Sequence, residues 1–366
     1  MDAAYATHPE HFSGDVAEWD SQYLRPESLF VQFSQGGWRT TVGYQQVVWG
    51  EAFGAYFADI VNPKDLREGG LGDLVDNRIS IPMVNLQWLS STSSAQLIYA
   101  PWSGVNLTPA TGSDFARWTS ALPFEQLSIN RMKTPRCSLS AESEGFGVTE
   151  GSGCQGDYGL RLSHRLSGWD LAYLYFNGVD RFPHYQLEVD SLTSARLEPY
   201  TSRIVTHGLT LSKELGSNML RAEVILHQDR VVNALIDGLL AKSKMNEAVL
   251  VVGYDLTPFS GWRSGFQVST SLLSEDLDYI IRDQSLTLVA FQATRTYRND
   301  RSIEMILSYE LEKSSSLVQF KLTQPLARSI ELDVGADIFN GALESPLGQY
   351  RQGSRVYLAL RSFFSG

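Results

Sequence analysis

Ser329-Ile330-Glu331-Leu332-Asp333-Val334-Gly335-Ala336-Asp337-Ile338 alternates apolar with polar or acidic residues without a slip, and the chain then runs through Arg355-Val356-Tyr357-Leu358-Ala359-Leu360-Arg361-Ser362-Phe363-Phe364. A strict period of two, with carboxylates on one face and aliphatics on the other, describes a strand lying between two solvents. In a soluble sandwich the apolar face would meet a second sheet. Here the pattern recurs almost to the terminus and ends on aromatics, as the last strand of a transmembrane β-barrel does.

Working outward, the same rhythm predicts an all-β, antiparallel up-and-down barrel. Candidate strands are 28–34, 38–48, 79–91, 95–101, 156–166, 169–190, 194–214, 218–228, 246–256, 262–274, 286–297, 302–312, 316–324, 329–340 and 353–364. Turn formers such as Gly36-Gly37, Ser167-Gly168, Gly216-Ser217 and Asn299-Asp300 close one end of the hairpins in few residues. The other end carries long connections, notably the insertions 49–78, 102–155 and 229–245. Outer-membrane barrels have short periplasmic turns and longer external loops, so the C-terminus is expected in the periplasm. Fifteen strands leave the first and last running the same way, and parity calls for another. Sixteen is therefore the expected count and fourteen the fallback, the extra strand lying within the N-terminal segment 1–27 or upstream of it; residues 28–366 form the barrel.

Composition agrees. The 366 residues carry 30 basic and 41 acidic side chains, a net charge of -11, which argues against a nucleic-acid partner. No stretch approaches the roughly 18 to 20 apolar residues of a membrane helix, so any crossing is made by strands. Residues 1–20 lack the basic start and apolar centre of a signal peptide. Cys137 and Cys154 share one Gly/Ser-rich connection and form a candidate disulfide, with two separate thiols as the alternative. Two lone cysteines do not make a metal site, and no cofactor is called for.

Alternation assigns faces. Leu29, Val31, Phe33, Leu220, Val224, Leu226, Met305, Leu307, Val318, Phe320, Leu332, Val334 and Ile338 are expected to face lipid. The lumen is expected to be lined by Arg161, Arg165, Arg221, Glu223, Glu304, Glu310, Lys321, Glu331, Asp333, Asp337, Arg355 and Arg361, because a charge on the lipid face near the midplane costs about 2–4 kcal/mol. Mixed signs suggest paired ladders, which either line a water-filled pore or interlock and fill it. His207 falls in phase with outward Val205 and Leu209, which implies a bulge or a phase error.

The 49–78 insertion holds Trp49, Phe53, Tyr56 and Phe57, which need a dry place. It is expected to fold into the barrel mouth as a constriction built on Gln46, Trp49, Glu51, Asp59, Asn62, Pro63 and Asp65, an external cap being the alternative. Asn62 followed by Pro63 and Asp65 predicts a short capped helix. Val231-Val232-Asn233-Ala234-Leu235-Ile236-Asp237-Gly238-Leu239-Leu240-Ala241-Lys242 reads as an amphipathic helix in an external loop.

The segment Gly43-Tyr44-Gln45-Gln46-Val47-Val48-Trp49-Gly50-Glu51, followed by Asn62-Pro63-Lys64-Asp65, resembles the "G-R-Q-x-V-x-W-G-E … N-P-x-D" signature of a bacterial family of uncharacterised outer-membrane proteins, with Tyr44 in place of the arginine. Thr206-His207-Gly208-Leu209-Thr210-Leu211-Ser212 and Val252-Gly253-Tyr254-Asp255 are similar to that family too. The resemblance implies location in the bacterial outer membrane among its lipids, association with a periplasmic lipid carrier and an inner-membrane proton-driven exporter, and no catalytic residue.

Three functional readings follow: a conduit, porin-like or for lipids and hydrophobic compounds, gated by 49–78; a plugged barrel that docks a partner in an envelope transport complex; and an outer-membrane hydrolase. The third has little support. Among His8, His11, His164, His184, His207 and His227, the adjacent Ser163 and His164 face opposite sides of a strand, and His184 has no evident serine. A soluble all-β protein stays open as a further alternative.

Overall fold

The structure, a computed structural model, describes residues 3–5, 24–26, 28–50, 58–71, 77–102, 104–109, 114–115, 126–129, 156–182, 184–189, 194–236, 239–275, 278–279, 283–327 and 329–362. Fifteen strands pair in chain order, each antiparallel to the next: β1 (Leu29–Gln35), β2 (Trp38–Gln45), β3 (Ile81–Leu89), β4 (Ser93–Ala100), β5 (Asp157–Leu166), β6 (Trp169–Val179), β7 (Arg203–Leu215), β8 (Asn218–Ile236), β9 (Leu239–Leu256), β10 (Trp262–Leu273), β11 (Ser285–Thr296), β12 (Ser302–Glu310), β13 (Ser315–Ala327), β14 (Ile330–Asn340) and β15 (Arg355–Ser362). Asp278–Tyr279 pairs with β8 off this path and makes a 16-stranded sheet. The all-β up-and-down architecture is the expected one. Among the described residues the sheet stays open between β1 and β15.

Local chemistry explains the tight ends. Gly36 and Gly37 (φ +57° and +84°) join β1 to β2, and Ser167 and Gly168 (φ +52° and +81°) join β5 to β6. Positive φ at both central residues is the requirement of the two-residue turn whose twist matches that of the strands.

Period-two alternation sorts the side chains as expected. On β14, Val334 and Ile338 are exposed while Asp333, Gly335, Asp337 and Phe339 are buried. On β8, Val224 and Leu226 face out and Glu223, Ile225 and His227 face in. The inward face is the drier one, the reverse of a polypeptide that keeps its apolar face for its own core. Trp38, Trp88 and Trp262 are exposed at the short-turn end, Lys213 lies 4.6 Å over the Trp169 ring and Arg295 lies 5.2 Å over that of Trp262. Such aromatic girdles mark an interface between water and hydrocarbon.

Several local expectations are corrected. The 229–245 insertion is neither a loop nor a helix: β8 and β9 pair through it, up to Ile236 opposite Leu239. A register shift between His227 and Arg230, with Asp229 at φ +56°, bends this arm. The predicted continuous strands 169–190 and 194–214 break, since β6 ends at Val179, β7 starts at Arg203, and a separate pair, His184–Val189 with Ser194–Tyr200, stands between. Asn62-Pro63 opens no helix. His207 faces out as its phase dictates, with β7 in unbroken register; its Nδ1 is 2.8 Å from the Tyr173 hydroxyl and its ring lies 5.3 Å from that of Tyr175.

Candidate functional site

Inward-facing side chains of strands between β3 and β9 bury a common core with the segment that follows β2. Val47, Trp49, Ala58 and Val61 pack with Ile81, Met83, Ile98, Ala100, Leu174, Phe176, Ile204, Ile225, Val249 and Val251. The segment therefore lies inside the curve of the sheet. Trp49 is 1 % exposed. A Cβ on Gly159 would collide with its ring, so β5 supplies a glycine where the indole lands. Its Nε1 donates to Gln96 Oε1 at 2.9 Å; Gln96 donates to Asn85 Oδ1 at 3.1 Å, and Asn85 donates to Gln45 Oε1 at 3.3 Å. This amide ladder crosses β2, β3 and β4 on the lumenal face.

Asn62 holds the segment's root. Fully buried, it accepts from Val47 N at 2.7 Å and donates to the carbonyls of Gln45 and Ile79 at 3.0 and 2.9 Å. These bonds replace the helix cap its sequence suggests. Pro63 packs instead against Gly104, where an added Cβ would fall 2.7 Å from the proline ring. Backbone bonds tie three strips together: Asp65 N to Asn77 O, Ile79 N to Pro63 O, Leu66 N to Leu107 O and Leu107 N to Lys64 O, all 2.7–2.8 Å. Gln46 adds a side-chain bond to Arg78 O at 3.0 Å.

Beside this root lies a group of buried charges. Arg78 Nε donates to Asp59 Oδ2 at 2.6 Å, and Lys64 Nζ lies 3.7 Å from the same oxygen. Arg181 bonds Asp157 Oδ2 at 2.7 Å, Val61 O at 2.5 Å and Gly104 O at 2.6 Å. Arg230 bridges Asp180, at 3.0 Å, and Glu247. Four carboxylates thus face four cations, and the group is neutral. Charges this buried persist only when paired and hydrogen-bonded. Burial still lowers the Lys64 ammonium to about 8, against the pull of Asp59.

From this root the segment reaches the opposite wall. Asp65 holds Arg67 through two bonds of 2.9 and 2.7 Å, and the neighbouring Glu68 pairs with Arg355 of β15, whose Nε also bonds Asp337 of β14 at 2.8 Å. Gly69 (φ +67°) turns against the rings of Phe115 and Tyr350, which meet Phe339 at 6.4 and 5.7 Å. Residues 58–71 therefore bridge the lumen between the β2–β9 wall and the β14–β15 wall.

The remaining predicted lumenal charges fall on the inward face, most of them in pairs: Arg221 with Asp255, Lys321 with Glu304 at 3.5 Å, Arg361 with Asp333, and Arg165 with Asp170 at 2.7 Å in the open near the Ser167-Gly168 turn. Arg161 and Glu223 point inward from β5 and β8, and Glu331 stands opposite Arg361 in register. Glu310, fully buried, accepts from Lys313 N and the Ser315 hydroxyl at 2.7 and 2.8 Å and so shapes a turn. Glu51, Cys137 and Cys154 lie outside the described residues. Lys64, Glu68, Arg78, Asp157 and Arg181 escaped sequence reading; for Lys64, Glu68 and Arg78 the one available signal was ionisable residues in a strip with no strand alternation, while Asp157 and Arg181 fell within predicted strands. Besides Tyr173 with His207, two aliphatic hydroxyls meet a histidine among the described residues, Ser93 with His164 at 2.8 Å on the exposed outer face and Thr206 with His227 at 2.9 Å in the closed interior.

A family model described as a protein of unknown function, DUF1302, matches residues 7–328. The chain belongs to that family. No curated protein matches this DUF1302 chain. Solved structures that resemble it include OccK8 (OprE) of Pseudomonas aeruginosa, at 10 % identity over 85 % of this chain and 75 % of that one with a TM-score of 0.47. Wzi of Escherichia coli, an outer-membrane protein involved in group 1 capsule assembly and described as a carbohydrate-binding β-barrel, matches at 9 % identity over 87 % and 67 %, TM-score 0.44. The toluene transporter TodX of Pseudomonas putida matches at 10 % identity over 71 % and 77 %, TM-score 0.33.

Proposed function

We propose that this DUF1302 protein is a conduit of the bacterial outer membrane whose lumen is constricted by the 49–78 insertion through its residues 58–71, with short turns and C-terminus on the periplasmic side. The bridging of the lumen by residues 58–71, from Asn62 and Arg181 at one wall to Arg355 at the other, carries this reading. The exposed apolar outer face, the aromatic girdle and the lumenal ion pairs support a membrane setting. The cargo is a small or hydrophobic molecule, and the work is binding and passage, not bond chemistry. A periplasmic lipid carrier and an inner-membrane exporter are the partners implied by the sequence resemblance.

A second reading, a plugged barrel that docks a partner, is favoured by how dry the lumenal face is: Ser269 is 1 % and Ser271 0 % exposed. Planar-bilayer conductance separates the two. The conduit predicts that deletion of 51–75 raises the open current of a correctly folded barrel several-fold, and that Glu68→Gln makes the current flicker up to that larger level. Current that stays at baseline in both variants transfers the weight to the docking barrel.

A further inference from the structure

We propose that the outer face at the short-turn end of β10, β11 and β12 binds the phosphate of an anionic glycerophospholipid, held by Arg295 and Arg301 beside the Trp262 and Tyr297 rings, with an acyl chain along the apolar strands beyond. The lipid belongs to the periplasmic leaflet, which rests on the orientation proposed above.

Register builds the site. Exposed Leu307 fixes the outward phase of β12, and Ile303 and Arg301 share it. Arg295 of β11 pairs with Ile303 on one side and with Trp262 of β10 on the other, so it too faces outward. Across the turn, Tyr297 N donates to Arg301 O at 2.8 Å, which sets Arg301 diagonal to Arg295, within reach of long side chains. The Arg295 guanidinium lies 5.2 Å from the centre of the Trp262 ring and 5.3 Å from that of Tyr297.

An acid is missing from this face. Lumenal Arg221, Arg355 and Arg361 each meet a carboxylate. Among the described residues, the outward positions of β10 to β13 carry none, and neither Arg295 nor Arg301 forms a side-chain hydrogen bond or ion pair. Asp300, nearest in sequence, sits in the turn at φ +59° and pairs with neither. Exposed Arg298 adds a third cation to that turn. Like charges so placed repel, and an oxyanion between them removes the repulsion while taking the guanidinium N–H donors that the rings leave free.

Depth identifies the occupant. Trp262 and Tyr297 are half-exposed rings of the girdle, and the same face continues toward the midplane through exposed Phe266 and Leu307. One anion beside the rings with hydrocarbon beyond it is the outline of a phospholipid, whereas an acidic protein would meet the arginines alone. With no carboxylate to take an ammonium, the site favours an anionic over a zwitterionic headgroup.

Native mass spectrometry of the full-length, heat-modifiable protein in detergent, offered equal amounts of phosphatidylglycerol, phosphatidylcholine and lipid A, tests this. The native protein should retain phosphatidylglycerol in preference to the other two. Arg295→Gln with Arg301→Gln should cut that retention about ten-fold or more, since each cation near a membrane surface attracts anionic lipid. Lys213→Gln, which removes the rim cation over Trp169, should leave it unchanged. If the glutamine pair does not fold, Arg295→Lys with Arg301→Lys replaces it; this pair keeps the charge, loses the forked donors and should retain several-fold less. Equal retention of phosphatidylglycerol and phosphatidylcholine, or equal retention by native and variant protein, overturns the site, and preference for lipid A overturns the source. Asn299→Cys, with Cys137 and Cys154 replaced by serine, reads the orientation separately. Reaction with a membrane-impermeant maleimide only after the outer membrane is opened supports the periplasmic leaflet; reaction in intact cells overturns both this proposal and the orientation beneath it. Loss of the lipid preference with the turn still shielded strikes this proposal alone.

Discussion

Asn62 shows how one side chain organises a segment without regular structure. Its three bonds satisfy Val47 N, Gln45 O and Ile79 O in a site closed to water. Asn62→Ala leaves all three groups unpaired, at about 1–3 kcal/mol each when buried, so the root should lose about 3 kcal/mol or more. Amide exchange of residues 46–50 should quicken a hundred-fold or more, while strands such as β12 and β13 stay protected. His184 supplies a pH-dependent counterpart outside the membrane-spanning strands. It is buried and stacked 6.2 Å from Tyr200, and burial, reinforced by Lys242, lowers its imidazole to about 4. Below pH 6.5 the unfolded chain takes up a proton that the folded one refuses until about pH 4. Local stability therefore falls as the pH drops through that window, by up to about 3 kcal/mol. Protease sensitivity of the 184–200 hairpin should rise between pH 6.5 and 4, and His184→Leu should flatten that rise.

At the scale of elements, the strands were legible and their extensions were not. Each of the fifteen strands lies where alternation put one, because an apolar outer face and a polar inner face forbid slippage of one residue. The β8–β9 arm departs from the expected helix because Val231-Val232-Asn233-Ala234-Leu235-Ile236 has no polar–apolar alternation beyond the Asp229 bend. Asp237-Gly238, between the last paired residues, was the signal for a hairpin. Asn233 then fastens the arm to the smaller sheet, accepting from Tyr185 N at 2.6 Å and donating to its carbonyl at 2.7 Å. The inserted segment depends on a strand in the reverse sense. Gly159 on β5 makes room for Trp49, and Gly159→Val would displace the indole from Gln96. Tryptophan emission should shift to the red and the open-state current should rise, with the β-sheet circular dichroism unchanged. Unaltered emission would mean that the ring is held by something other than this contact.

For the whole molecule, the two walls hold the inserted segment by different physics. The sequence announced the lumenal charges through their phase, yet not which would leave the strands' ladders to meet the insert, because pairing across a lumen has no period. At the near wall Arg181, 5 % exposed, joins Asp157 to the carbonyls of Val61 and Gly104. At the far wall Arg355 is shared by Glu68 and Asp337 with about 30 % of its side chain exposed. Arg181→Met strands a buried carboxylate and two carbonyls, a loss of about 3–5 kcal/mol, so the root should detach whatever the salt. Arg355→Gln releases Glu68, whose partly solvated pair is worth about 1 kcal/mol or less, while the buried Asp337 keeps its bond from Gln319, so the segment should stay rooted while its tip comes free. Single-channel records then separate the two variants. Arg181→Met should give a large, steady current, and Arg355→Gln a flickering one between the native and the large level. Raising salt from about 0.1 to 1 M shortens the screening length from about 10 to 3 Å. The native protein should therefore begin to flicker as Arg355→Gln does. A native current that grows with salt only in proportion to bulk conductivity would place the tip's hold in the Phe115, Phe339 and Tyr350 rings, which salt does not screen.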